Sequence, residues 1–285
     1  MKRFFLFALL FLQFVSIAQK IKVKTVSLLP KIVWESSGLV SGTDNSVWTH
    51  NDSGGEPMLY KLNSKGEIIR KVYIKSVTNT DWEDLANDYN GNIYIADIGN
   101  NLNKRKHLQI LKIPHPDSLN TDTIRPQIIQ FKYENQKLFP PEQADLNFDA
   151  EALIAYDDSL FIFTKNRSKP YSKYTYVYAI PNKAGEYIAI LQDSIYLPRT
   201  KKLHSWITGA SRHPNKDVVV LISHRKAWLI TNFRNKNEQT LTRSRVSGIY
   251  SQKEAITFDL EGNLWISNEK YKCLRAKLKK SVFTN

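Results

Sequence analysis

The sequence predicts an all-β protein assembled from five copies of one four-stranded unit, and three observations predict it. Short runs rich in Val, Ile, Tyr, Phe and Trp recur along all 285 residues, bounded by Gly, Asn, Asp and Pro, and long helical patterns are hard to find. Five segments share one skeleton: ESSGLV (35–40), DWEDLA (81–86), DAEALI (149–154), WITGAS (206–211) and QKEAIT (252–257). The spacing from each skeleton to the next apolar run is nearly constant. Counted from Ser37, Glu83, Glu151, Thr208 and Glu254 it is 10, 10, 9, 10 and 10 residues.

The chain opens on MKRFFLFALLFLQFVSIAQ, with Lys2 and Arg3, then an uncharged apolar run, then Ser16-Ile17-Ala18. That order reads as an export leader cleaved after Ala18, and the apolar run is short for a membrane span. The expectation is a periplasmic or extracellular chain, 19–285, without a membrane segment after cleavage. An apolar content of 42% argues for a packed core. The single cysteine, Cys273, rules out an internal disulfide. It lies in KCLRAKL, which reads as a strand, so it is expected to be a small buried hydrophobe and not a nucleophile.

In unit one the skeleton leads to VWTHND, MLYKLN and IIRKVYI; in unit two to IYIADIGN, LQILKI and IIQFKY. Unit three continues with LFIFTKNR, YTYVYAI and YIAILQDSIYL, and unit four with VVVLISHR, AWLITNF and TRSRVSGIY. Four strands per repeat, with repeats of 46, 68, 57 and 46 residues, read as blades of a five-bladed β-propeller. Unit five, with LWISNEK and KCLRAKL, is one strand short. KIKVKTVSLL (20–29) is expected to supply it and close the ring, leaving no long sheet edge exposed. The rival, a six-bladed ring, would need a blade hidden inside these intervals, where there is no room for one.

Propeller geometry turns the repeat into a site. Ser37, Glu83, Glu151, Thr208 and Glu254 stand where each innermost strand begins and should face one point on the axis. The residue after each is Gly or Ala in four blades, which suits the crowding there; Asp84 is the exception, and a hydrogen bond across the channel is the role expected of it. Three converging carboxylates repel one another, and a cation relieves this. Oxygen donors without His or Cys favour Ca²⁺ over Zn²⁺. The other reading is that these Glu residues only hydrogen-bond backbone amides. The second strands return to the same mouth, where Asp52, Asp97, Lys165, Arg167, His224, Arg225 and Lys270 can do chemistry. Such a rim suits an anionic small molecule.

The order Ser, Glu, Glu, hydroxyl, Glu over five blades resembles the soluble calcium-activated nucleotidases, with ESSGLV like that family's first motif, KEAITF like its last and HNDSG like its acidic second-strand turn. The resemblance implies Ca²⁺ ligation by Ser37, Glu83, Glu151, Thr208 and Glu254, with Asp52 near the reacting phosphate and water. Blade four carries Thr208 where the family has Ser, and Ser53 follows Asp52 where an Arg is expected. The function expected is a Ca²⁺-dependent hydrolase of phosphoanhydrides or phosphoesters. In it, Asp52, Asp97 and His224 are the acid–base groups, and Lys165, Arg167, Arg225 and Lys270 bind substrate. Two alternatives stand beside it: a non-catalytic propeller with a structural metal that binds glycans or a protein, and a lactonase-like hydrolase. The net charge of +14, from 41 Lys and Arg against 27 Asp and Glu, is spread along the chain. No nucleic-acid-binding signature accompanies it.

Overall fold

The computed structural model describes residues 21–197, 202–246 and 252–283. The leader expected at 1–18 lies outside the described residues. The strands form five four-stranded units in chain order. From axis to rim, blade one is Ser36–Ser41, Val47–Asn51, Met58–Leu62 and Ile68–Ile74. Blade two is Trp82–Asn87, Asn92–Asp97, Leu108–Pro114 and Gln127–Tyr133; blade three is Ala150–Tyr156, Ser159–Thr164, Tyr174–Pro181 and Gly185–Tyr196. Blade four is Ile207–Arg212, Val218–Ser223, Lys226–Thr231 and Thr240–Arg245. Blade five is Lys253–Phe258, Leu264–Asn268 and Lys277–Ser281, completed by the N-terminal strand Lys24–Leu28.

Burial explains why these segments pack in this order. The inner strands are buried almost throughout, on both faces, whereas outer strands such as Ile68–Ile74 and Gln127–Tyr133 alternate. Five apolar clusters fill the five gaps between neighbouring blades. Val40, Trp48 and Leu59 meet Trp82, Leu85 and Ile95 between blades one and two. The last gap joins Leu39 and Leu62 of blade one to Trp265 and Leu278 of blade five. With inner strands touching in the order one-two-three-four-five-one, the ring is closed. Each gap removes several large side chains from water, and each buried one contributes about 1.5–3 kcal/mol.

The closing strand pairs as expected, antiparallel, from Lys24 opposite Lys280 to Leu28 opposite Lys277. Its partner differs from the expected KCLRAKL. The third strand of blade five starts at Lys277, because Tyr271–Leu274 form a tight reciprocal turn first. Cys273 stands exposed in that turn, so the expectation that it is buried was wrong. The longer second and third repeats have a use as well: the outer strand of blade two pairs in parallel with that of blade three, Ile129 opposite Gly185, covering two edges at once.

Candidate functional site

All five aligned residues occupy the same local structure, a β-bulge at the start of the inner strand. The pairing register slips between Ser36 and Leu39, Trp82 and Asp84, Ala150 and Ala152, Ile207 and Gly209, and Lys253 and Ala255. Ser37, Glu83, Glu151, Thr208 and Glu254 lie inside those slips. A bulge re-aims one side chain out of the alternation of the strand. It here turns five oxygen-bearing groups, 1% to 6% exposed, towards the mouth of the channel.

A second ring lies just above. The backbone N–H groups of Asp52, Gly99, Lys165 and Glu269 donate to the carbonyls of Glu35, Asp81, Asp149 and Gln252, so these four residues hold equivalent places. By register His224 takes that place in blade four. Gly99 is required by crowding: a Cβ there would lie 2.3 Å from both Asp81 Oδ2 and Glu83 Oε1.

The structure brings two of the expected metal ligands, Glu83 and Glu151, together with Asp52, Asp81 and Asp149 in two groups that share Glu83; Glu254 is in neither. Oxygens of Asp52, Asp81 and Glu83 lie within 4.8 Å of one another, as do those of Glu83, Asp149 and Glu151. Lys165 sits among them. Its ammonium bonds to Glu151, Arg167 pairs with Asp149, and Arg167 Nη2 is 3.5 Å from Glu151. Trp206 covers both cations, its ring 5.4 Å from Lys165 Nζ and 5.0 Å from the Arg167 guanidinium. The Ser37 and Thr208 hydroxyls each donate to the next blade, to Glu83 O and Lys253 O at 2.8 Å, which leaves their oxygen lone pairs available.

The remaining expected residues divide. Asp52 lies at the rim, beside Asp81 and Glu83. Asp97 is fully buried and accepts from Arg105, Gln109 and the Asp81 N–H, so it braces the rim. His224 Nδ1 faces Glu254 Oε1 across 3.5 Å, and neither atom has a hydrogen-bond partner among the described residues. Arg225 is exposed at the blade-four turn, and Lys270 lies over the Trp34 ring at 4.1 Å.

The acids are strained electrostatically. Burial, with Glu151 and Asp52 next, pushes Glu83 well above the usual carboxylate range. Burial raises Glu254 likewise, and Glu151 to about 7 even with Lys165 bonded to it. Burial and Asp52 raise Asp81 to about 6 and Glu269 to about 8. Burial works against the Lys165 charge, yet Glu151, Glu254, Asp149 and Glu83 hold its pKa above the usual value. Burial, with Lys165 adding repulsion, drops His224 to about 3, so the ring is neutral. Sequence reasoning passed over Glu269 in favour of Lys270; aligning the residue that follows each second strand would have found it.

Asp84 answers why one blade departs from Gly or Ala. Its carboxylate lies in the channel, fully buried, and accepts from the N–H groups of Leu85, Leu153 and Ala210 at 2.8, 2.9 and 3.2 Å. One side chain thus ties the inner strands of blades two, three and four, the cross-channel bond expected of it. Burial raises its pKa, and the three amides oppose that rise.

The donor set fits a hard, oxygen-seeking cation such as Ca²⁺. Glu254 Oε1 is buried without a partner, and the Glu83 carboxylate has no hydrogen bond among the described residues. No protein-family profile matches the chain, and no curated protein matches its sequence. Solved structures do. A glucose dehydrogenase aligns over 92% of this chain and 99% of its own, at 7% identity and a TM-score of 0.51. A streptogramin B lyase aligns over 90% and 96%, at 13% identity and 0.46. Regucalcin from Agrobacterium tumefaciens, a calcium-binding protein, aligns over 88% and 73%, at 13% identity and 0.45. The likeness is one of fold: the chain is a β-propeller, with side-chain clusters able to hold a metal.

Proposed function

We propose that the protein is an exported, Ca²⁺-dependent hydrolase of phosphoanhydride or phosphoester substrates, acting at the mouth where the bulges meet. The observation that carries this reading is Glu83, a buried carboxylate shared by two three-acid groups and without a hydrogen bond among the described residues. Ca²⁺, held by Glu83, Glu151 and Glu254 with the Ser37 and Thr208 hydroxyls, would draw charge from bound phosphate oxygens. Lys165 and Arg167, fixed under Trp206, add positive charge beside the acids and favour an anionic substrate. Asp52, at the rim with its pKa raised by burial, serves in this reading as the base that takes a proton from water. Asp97 supports this arrangement through Arg105, and neutral His224 orients ligand and does not supply a proton.

Phosphate release from ATP, ADP and p-nitrophenyl phosphate, with Ca²⁺ and with EDTA, tests the reading. Release should need Ca²⁺ and fall by about 10²-fold or more in Glu151→Gln. No release from any of the three would overturn it. The internal pairs Lys165–Glu151 and Arg167–Asp149 favour one other reading, a non-catalytic module whose rim binds a glycan or protein. That module would melt at a higher temperature with Ca²⁺ and turn nothing over.

A further inference from the structure

At the opposite mouth the turns between first and second strands enclose a cavity of about 570 Å³. Three carboxylates line it, and each has its oxygens bonded. Asp88 accepts from the N–H groups of Asn90 and Asn92, from Asn92 Nδ2 and from Tyr94 Oη. Asp117 accepts from Thr43 and Trp48 and pairs with Lys61. Asp259 accepts from Glu261, Asn263 and Trp265 and pairs with Lys280.

Arg212, also in the lining, is the opposite case. Its guanidinium lies over the Tyr89 ring, 3.6 Å from the centroid, with the Tyr156 ring 5.3 Å away. Nε donates to Ala155 O at 3.1 Å, which fixes the plane. Nη1 is buried without a partner, and Nη2 makes no hydrogen bond among the described residues. A half-buried guanidinium oriented by a carbonyl and an aromatic face, but joined to no carboxylate, lacks the partner such a group normally has. Two large apolar side chains, Tyr89 and Leu260, also face the cavity and are each 63% exposed.

We propose that this cavity is a second binding site, for a small organic carboxylate. Its carboxylate takes the unbonded edge of Arg212, and its apolar body packs on Tyr89 and Leu260. A planar carboxylate matches the guanidinium fork. A singly charged anion also suits a wall that carries three acids, two of them paired with Lys61 and Lys280, better than a phosphate does. The site is independent of the bulge mouth and of Ca²⁺.

Titrations of benzoate, benzamide and inorganic phosphate in EDTA, followed by ligand-observed NMR, test it. Benzoate should bind wild type saturably, and about tenfold or more weakly in Arg212→Gln, the loss expected for a charge-assisted bond. Benzamide should bind weakly throughout. Should Arg212→Gln fail to fold, Tyr89→Ala, which removes an exposed ring, should still weaken benzoate several-fold. Equal benzoate binding in the folded variants, benzamide binding as tightly as benzoate, tighter phosphate than benzoate binding, or no saturable benzoate binding would each overturn the site. Because EDTA is present, loss of the hydrolase reading leaves this result untouched.

Discussion

The two mouths of one channel hold the same residue type in opposite conditions. At the bulge mouth, Asp52, Asp81, Glu83, Glu151, Glu254 and Glu269 all have raised pKa values. At the far mouth, Asp44, Asp117 and Asp259 have lowered ones. Burial is felt at both ends. The supply of donors differs. The far acids sit in turns whose amides, Trp rings and lysines all point at them, and they are structural. Of the near acids, Glu83, Glu151 and Glu254 are aimed by bulges at the mouth, with Lys165 and Arg167 as paired counter-charges. Such a carboxylate cluster could hold a cation.

The strongest way to break the comparison is to cut what lies between the mouths. Asp84→Leu leaves three buried N–H groups without an acceptor, at about 1–3 kcal/mol each. Urea denaturation should show a loss of about 3–9 kcal/mol; a loss under about 1 kcal/mol would mean Asp84 does not tie the blades. Next comes a matched pair. Asp259→Ala should cost about 2–3 kcal/mol, since the donors of Asn263 and Trp265 and the Lys280 charge lose their partner. Glu83→Gln, measured in EDTA, should have the opposite sign and melt at or above wild type, because it removes repulsion. If both variants are destabilised alike, the two mouths do not differ as described.

The pH dependence of melting sharpens the point with a smaller effect. Acids whose folded pKa is raised bind protons in the folded state first, so their contribution to stability grows as pH falls. In EDTA, melting temperature should rise from pH 8 to 6.5, the window set by Glu269 at about 8 and Glu151 at about 7, with Glu83 and Glu254 adding to it. Lys253 and Lys279, pulled down to about 8 by burial, oppose this near the top of the window. The buried histidines act in the same opposing direction only below about 6.5. With Ca²⁺ present the slope should flatten or reverse, since the ion requires ionised acids. A melting temperature that falls steadily in EDTA from pH 8 to 6.5 would contradict the raised acids. Smallest is Ser37→Ala, which removes one inter-blade bond to Glu83 O and should cost about 1 kcal/mol while also reducing the Ca²⁺-induced rise in melting temperature.

Much of the fold was legible because a propeller repeats itself. The skeleton around Ser37, Glu83, Glu151, Thr208 and Glu254 recurs in register, and hydrophobic alternation marks the strands that follow. What was not legible depends on contacts between blades. The bulges leave no compositional trace. Nothing near Lys165 in the chain shows that its ammonium would reach Glu151 and sense Glu254, which belongs to another blade. Asp84 was visible as an oddity, but the amides of Leu153 and Ala210 that explain it come from two other blades. Cys273 was misread because a strand-like composition hid a reciprocal turn.

The pairing of Lys24–Leu28 with Lys277–Ser281 has a consequence in time. Synthesis delivers Lys24–Leu28 before the first blade and Lys277–Ser281 after the other four blades. Blade five therefore stays incomplete, and its apolar face towards blade one stays open, until Lys277–Ser281 has been made. This pairing joins strands from opposite ends of the described residues, so its loop-closure entropy is large and it belongs late in folding. A growing chain cannot make it early: until both strands exist, the five blades form an open arc and not a ring.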